Sequence, residues 1–305
     1  MTEKKTIYLD TGGYPILGWI LAAVYSKKKR TPWIAILCMA LLLGVYAYLT
    51  PIILKITGVD WNETYAPAAR ALVFGHNPYQ AATNLRNPVW ILLPLIPISL
   101  LPQRIGTLAA LFLTIAIYLF IPYKLQANLV ARTAFLLSPP IILSLQMVNV
   151  DSLVLLGILM PAPIGLFFVL AKPQIGIGIA IYWFIEAWQK GGFRKVVITF
   201  APVTFALVVT FILYGNWINV AIDRDLVTAS WNTSLFPWGI PIGLVLFFLA
   251  VRFKKKYLAA SSSPFFTPYM FLPSWSAALV GFFDKDLLMV GTVLAMWIMV
   301  LIRLR

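Results

Sequence analysis

From Trp33 onward, apolar runs alternate with short polar or proline-containing breaks. Trp33–Leu54 matches the ~20 apolar residues of a membrane-crossing helix, whereas Tyr14–Tyr25 is too short and predicts a helix lying in the interface. The Thr57–Asn87 stretch that follows is polar and predicts an outer loop. Pro88–Leu101, with Pro94, Pro97 and Pro102 in or beside it, predicts a short or kinked crossing back to Gln103-Arg104. Ile105–Pro122 predicts an outward crossing, with Lys124 and Arg132 flanking an outer turn. Thr133–Trp188 is broken at Pro139-Pro140, Asn149-Val150-Asp151, Pro161, Pro163 and Lys172-Pro173. It reads as three short crossings, with Asn149 and Asp151 near the inner side and Lys172 near the outer. Val196–Tyr214 then crosses out to the Gly215–Ser234 loop, and Leu235–Val251 returns to Arg252 and Lys254-Lys255-Lys256. Phe265–Phe283 crosses to an outer Asp284-Lys285-Asp286, and Leu287–Ile302 ends inside at Arg303 and Arg305.

The expected fold is therefore an all-α polytopic membrane protein with about ten crossings and an amphipathic outer-loop helix. Residues 1–32 form a cytoplasmic segment, and 33–305 one membrane domain whose outer loop spans 56–87. The Lys27-Lys28-Lys29-Arg30 run sets the orientation and puts both termini in the cytoplasm. Composition agrees: 61% of the 305 residues are hydrophobic and 11% charged, far from the quarter or so of charged residues usual in soluble domains. The net charge of +14 sits between apolar runs, which points to membrane lipids as partner and away from nucleic acid. The single cysteine, Cys38, allows no intrachain disulfide, and one histidine, His76, excludes His-based metal sites. Neither metal nor cofactor is expected. Phosphate-binding glycine loops and nucleophile elbows are also missing, so chemistry here needs a substrate delivered through the membrane.

The outer loop holds the leading candidate. Its spacing predicts a helix over Trp61–Phe74, with Asp60 as N-cap, Glu63 completing a capping box, Gly75 at the C′ position and Pro67 as a kink. Asp60 is then either a cap or a carboxylate at the membrane edge that takes a proton from a hydroxyl. Lys172, in an apolar run, must snorkel or meet a partner such as a headgroup phosphate. Asp151 inside an apolar region is a candidate functional residue or, at the inner boundary, a helix cap. Trp231 is a sugar-stacking surface or an interfacial anchor, and Arg224 sits between Asp223 and Asp225. Asn62-Glu63-Thr64 and Asn232-Thr233-Ser234 match the glycosylation sequon.

Asp60-Trp61, Tyr65, Ala68 to Leu72 and Gly75-His76-Asn77-Pro78-Tyr79 together resemble the first outer loop of family-87 glycosyltransferases, membrane enzymes of the GT-C class. Asn87-Pro88, Gln146 with Asn149, Lys172-Pro173-Gln174 and Ser263-Pro264 follow in the same order. Departures are Leu145, where a glycine would precede Gln146, and the absence of histidine after Ser263-Pro264. The resemblance implies a GT-C-like bundle. It also implies inverting transfer of a sugar from a polyprenyl-phosphate donor to a lipid or glycan acceptor hydroxyl, outside the cytoplasm. Asp60 would be the base. Lys172, Gln174, Glu63, Arg70, His76, Tyr79, Asn149, Arg224 and Trp231 are the candidate substrate contacts. A lipid or solute transporter, or a non-catalytic subunit of a membrane complex, is the alternative.

Overall fold

The computed structural model describes residues 58–218 and 224–303. The Tyr14–Tyr25 helix, the Lys27–Arg30 run, the Trp33–Leu54 span, Cys38, Asp223 and Arg305 lie outside the described residues. The described chain is all helical. Its main elements are α1 (Ala66–Val73), α2 (Gln103–Lys124), α3 (Leu129–Leu136), α4 (Pro139–Met147), α5 (Asp151–Leu159), α6 (Ala162–Val169), α7 (Pro173–Tyr214), α8 (Ile240–Arg252), α9 (Lys256–Ser262) and α10 (Asp286–Arg303). Among the described residues, α2, α7 and α10 are long and apolar enough to cross a membrane, and the bent pair α3–α4 makes a fourth. Ten crossings are not what these residues show.

The longest element doubles back. Its 42 residues would extend ~63 Å if straight, about twice a bilayer core. Gly191 and Gly192 leave helical geometry, and Gly192 has φ 57°, which a residue without Cβ adopts at no cost. The rings of Phe184 and Phe200 then meet at 6.0 Å, where a straight helix would hold them about 24 Å apart. Lys190, Arg194 and Lys195 sit at this reversal.

The stretch between α4 and α7 differs from expectation. α5 has 9 residues and α6 has 8, each reaching only ~12–14 Å. They form a tight hairpin in which a Cβ on Gly165 would stand 2.5 Å from the Gly157 carbonyl and 2.6 Å from the Trp183 ring. Its two ends are joined by an ion pair between Asp151 and Lys172. Asn149 and Asp151 therefore lie at the same end of the bundle as Lys172, not on the opposite side. The prolines and polar breaks that suggested crossings instead mark a short helical hairpin whose two ends meet at the Asp151–Lys172 pair.

Two more expected crossings are corrected. Pro88–Leu101 forms the short helices Val89–Leu95 and Ile96–Ser99, which fold back against α1. Arg70 donates to the carbonyls of Ser99 and Leu101, and Thr107 bonds Asn62 at 2.8 Å. Gln103 and Arg104 thus share the Asp60 end, and α2 carries the chain to Lys124 at the far end. There Asn128 bonds Asp286, and Lys255 lies 4.0 Å from Asp284. Asp284-Lys285-Asp286 accordingly sits with Lys254-Lys255-Lys256 instead of across the bundle from it. α10 runs back, and Arg303 donates to the Asn232 carbonyl at 2.9 Å, so Arg303 is at the Asp60 end and not with the basic clusters. The result is one end rich in Lys124, Arg132, Lys190, Arg194, Lys195 and Lys254 to Lys256, and another that carries Asp60.

Candidate functional site

Asp60 is not a cap. Gly58 (φ +57°) starts the helix, and Asn62 N–H bonds its carbonyl at 2.8 Å. Asp60 already has helical φ −61° and ψ −38° and makes no side-chain capping bond, so no capping box with Glu63 exists. Trp61–Tyr65 is a π-helical turn closed by the Ala66 N–H to the Trp61 carbonyl, and Pro67 sits where it passes into α1. Such wide turns recur at functional sites. Trp61 and Tyr65 anchor this one in the core. At the far end Gly75 has φ 73° and His76 N–H bonds the Ala71 carbonyl, as expected of a helix terminus.

Asp60 and Glu63 line a cavity of about 810 Å³ at the end of the bundle. Lys172, Pro173 and Gln174 enter it from the start of α7, and Trp217 and Ile218 from its return. Arg86 and Asn87 arrive from the first loop, Leu226 and Trp231 from the second, and Tyr269 and Phe271 from the segment before α10. Asn87 is buried and couples these walls: it accepts from Tyr65 Oη at 3.1 Å and donates to the Ala171 carbonyl at 2.8 Å. Trp217 stacks on Tyr79 at 5.9 Å, and its indole N–H has no partner among the described residues. Trp231 stands edge-on to Tyr269 at 5.6 Å and to Phe271 at 5.8 Å.

Charge in this setting is expensive. Burial pushes the Asp60 carboxyl from 3.8 up to about 6; Asp151 and Glu63 push the same way, against the pull of Lys172 and Asn149. Behind it, Asp151 is fully buried and accepts from Lys172 through one oxygen and from Ser274 Oγ at 2.9 Å through the other. Lys172 has its partner within the protein, so its charge is shared between Asp151 and the cavity. Asn149, also buried, does not line the cavity; Ser144 Oγ donates to its Oδ1 at 2.7 Å and Asp151 N–H at 3.1 Å.

Of the expected contacts, Glu63, Lys172, Gln174 and Trp231 do face the cavity with Asp60. Arg70 does not, because its guanidinium caps the carbonyls of Ser99 and Leu101. His76 is exposed beyond the end of α1. Tyr79 is buried behind Trp217 and donates to the Asn87 carbonyl at 3.2 Å, a packing role. Arg224 begins the short helix Arg224–Thr228, and its side chain lies outside the described part. Asn232 spends its amide on the carbonyls of Val227 and Pro268 at 2.9 and 3.0 Å and accepts from Met270 N–H. That leaves no amide proton free for a glycan. Trp217 and Phe271 are among the wall residues that sequence reading did not single out, because aromatic residues are common throughout an apolar chain and carry no positional signal.

Fold and site together define an all-α, multi-pass class of membrane protein with a carboxylate-bearing cavity at one end. Comparison of the chain with family models, curated proteins and solved structures returns no match. Among the described residues, no group of three His, Cys, Asp or Glu side chains is placed to hold a metal ion.

Proposed function

We propose that this protein is a glycosyltransferase of GT-C-like architecture that moves a sugar from a polyprenyl-phosphate donor to an acceptor hydroxyl outside the cytoplasm, with Asp60 as general base. The observation that carries this reading is a carboxylate without a capping role, facing a large cavity, with its pKa pushed up to about 6. A base poised near neutral pH is what proton removal from a hydroxyl requires. The order of motifs from Asp60 to Ser263-Pro264 supports the same class. The orientation is supported by the gathering of basic residues at the end remote from Asp60, since such clusters favour the cytoplasm.

In the proposed step the acceptor O–H gives its proton to Asp60 while its oxygen bonds the anomeric carbon. The bond from that carbon to the phosphate oxygen breaks, and the departing lipid phosphate keeps the electron pair. A single displacement of this kind inverts the anomeric centre. Lys172 and Arg86 line the same cavity and bring positive charge toward the leaving phosphate. Trp231 and Tyr269 offer flat apolar faces to a pyranose.

The test is transfer by Asp60→Asn from a synthetic polyprenyl-phosphate sugar to a panel of glycolipid acceptors. Loss of at least a hundredfold is expected, with wild-type activity rising through about pH 6. Near-wild-type turnover removes Asp60 from the role. A lipid or solute transporter is the second reading, favoured by the buried Asp151–Lys172 pair between discontinuous helices. It predicts substrate movement across vesicles without any change in the substrate.

A further inference from the structure

Asn149 is on a buried spur between α4 and α5, and its amide is held in one orientation. Ser144 Oγ donates to Oδ1 at 2.7 Å, and the Asp151 backbone N–H donates to the same oxygen at 3.1 Å. Ser144 is itself 2.6 Å from Tyr118 Oη, and both are fully buried. Flipping the amide would set the Asp151 backbone N–H, which can only donate, against an NH2 group, so that contact fixes Oδ1 toward Asp151 N–H and Ser144 and Nδ2 away from them. That Nδ2 is buried and has no hydrogen-bond partner among the described residues. Asn149 lines the same small gap in the packing as Trp61, the residue that follows Asp60, and its amide pulls the Asp60 carboxyl down against burial.

A buried donor without a partner costs stability and calls for an explanation. Catalytic hydrogen bonds are often long or misaligned before substrate binds and tighten when it does. We propose that Asn149 is the positioning residue of Asp60: its Nδ2 grips one carboxylate oxygen and leaves the other turned to the cavity to receive the hydroxyl proton. Asn149 thereby acts through Asp60 and not as a substrate contact. Ser144 and the Asp151 N–H are the parts that aim it. This rests on Asp60 being the working carboxylate of the cavity, but not on what the transferred group is.

The other groups that face Asp60 are Glu63 and Tyr65 on its own helix, Asp151 at the start of α5, Lys172 at the start of α7 and Tyr269 from the segment before α10. Arg86 joins them at the cavity wall. None of these side chains is altered in either variant, and Ser144→Ala leaves the Asp151 N–H bond to Asn149 in place. The effect on Asp60 is therefore attributable to the amide.

The experiment is an infrared pH titration of the full chain in detergent, without substrate, with the Asp60 carboxyl band assigned by its disappearance in Asp60→Asn. Asn149→Leu is expected to raise the titration midpoint by about one pH unit, because the pull of the amide dipole on the ionised form, present before the bond tightens, is lost. Ser144→Ala, which touches neither Asp60 nor the cavity, is expected to raise it by a smaller amount as the amide loses its aim. Midpoints equal to wild type in both variants overturn the assignment. Where Asn149→Leu does not fold, Ser144→Ala decides by the same criterion. Because the band is read without turnover, failure of the transferase reading and failure of the Asn149 assignment give separate results: no product in the one, an unmoved midpoint in the other.

Discussion

Replacing Asp60 by Asn keeps the shape of the side chain, removes the charge and turns one acceptor oxygen into an NH2 donor. A rise from 3.8 to about 6 is worth about 3 kcal/mol at 1.36 kcal/mol per pKa unit. The carboxyl is only partly covered and meets the cavity, so about 2 kcal/mol is the expected stabilisation in Asp60→Asn at pH 7.5. The sign follows from linkage. The folded state binds the proton more tightly than the unfolded chain, so keeping Asp60 ionised costs stability above about pH 6. That cost shrinks as pH falls from about 6 toward 3.8 and disappears below it. Thermal melts in detergent should therefore show Asp60→Asn melting several degrees above wild type at pH 7.5 and level with it near pH 4. A variant that melts at or below wild type at pH 7.5 would refute the reasoning, because Asp60 would then be a structural residue. A gain in stability paired with loss of transfer is the signature expected of a working site.

Lys172→Met strands the fully buried Asp151 and should destabilise by about 3–5 kcal/mol; the double variant with Asp151→Asn should recover much of that, as a double-mutant cycle by chemical denaturation would show. Gly165→Ala puts a methyl 2.5 Å from the Gly157 carbonyl and 2.6 Å from Trp183, and should cost at least about 1–3 kcal/mol, visible as a lower melting temperature. Cysteines introduced at Asp284 and at Arg303 should label from opposite faces of sealed membranes, the first from the cytoplasmic face. Labelling from the same face would contradict the bundle geometry. His76→Ala should leave stability within about 0.5 kcal/mol of wild type and transfer unchanged, read by melt and activity together.

Much of the class was legible along the chain. Apolar runs too long and too numerous for a soluble core imply helices in lipid, because only there must every backbone group be satisfied within its own segment. The polar loop with Asp60 stood out for the same reason, and Gly75 could be placed as a helix terminus because its neighbours leave few other conformations. Direction was not legible. Pro94, Pro97, Pro161 and Pro163 announce breaks, but a broken apolar segment crosses or re-enters according to what it packs against. The ion pair of Asp151 with Lys172 and the contact of Lys255 with Asp284 decided that. Local spacing left the cap and the base equally open for Asp60, because capping depends on φ and ψ, and tertiary packing around Trp61 and Tyr65 sets those.

By itself, then, the sequence determined an all-helical membrane class, the polar loop and the carboxylate on it, because burial preference and periodicity are local properties of the chain. Only the tertiary structure decided that Asp60 faces a cavity with Lys172, Trp217 and Tyr269, that Arg70 and Tyr79 lie outside that cavity, and that the Asn149 amide pulls on the carboxyl. Those relations join residues far apart in the chain, and their energies arise from desolvation and contact, which exist only once the segments have met.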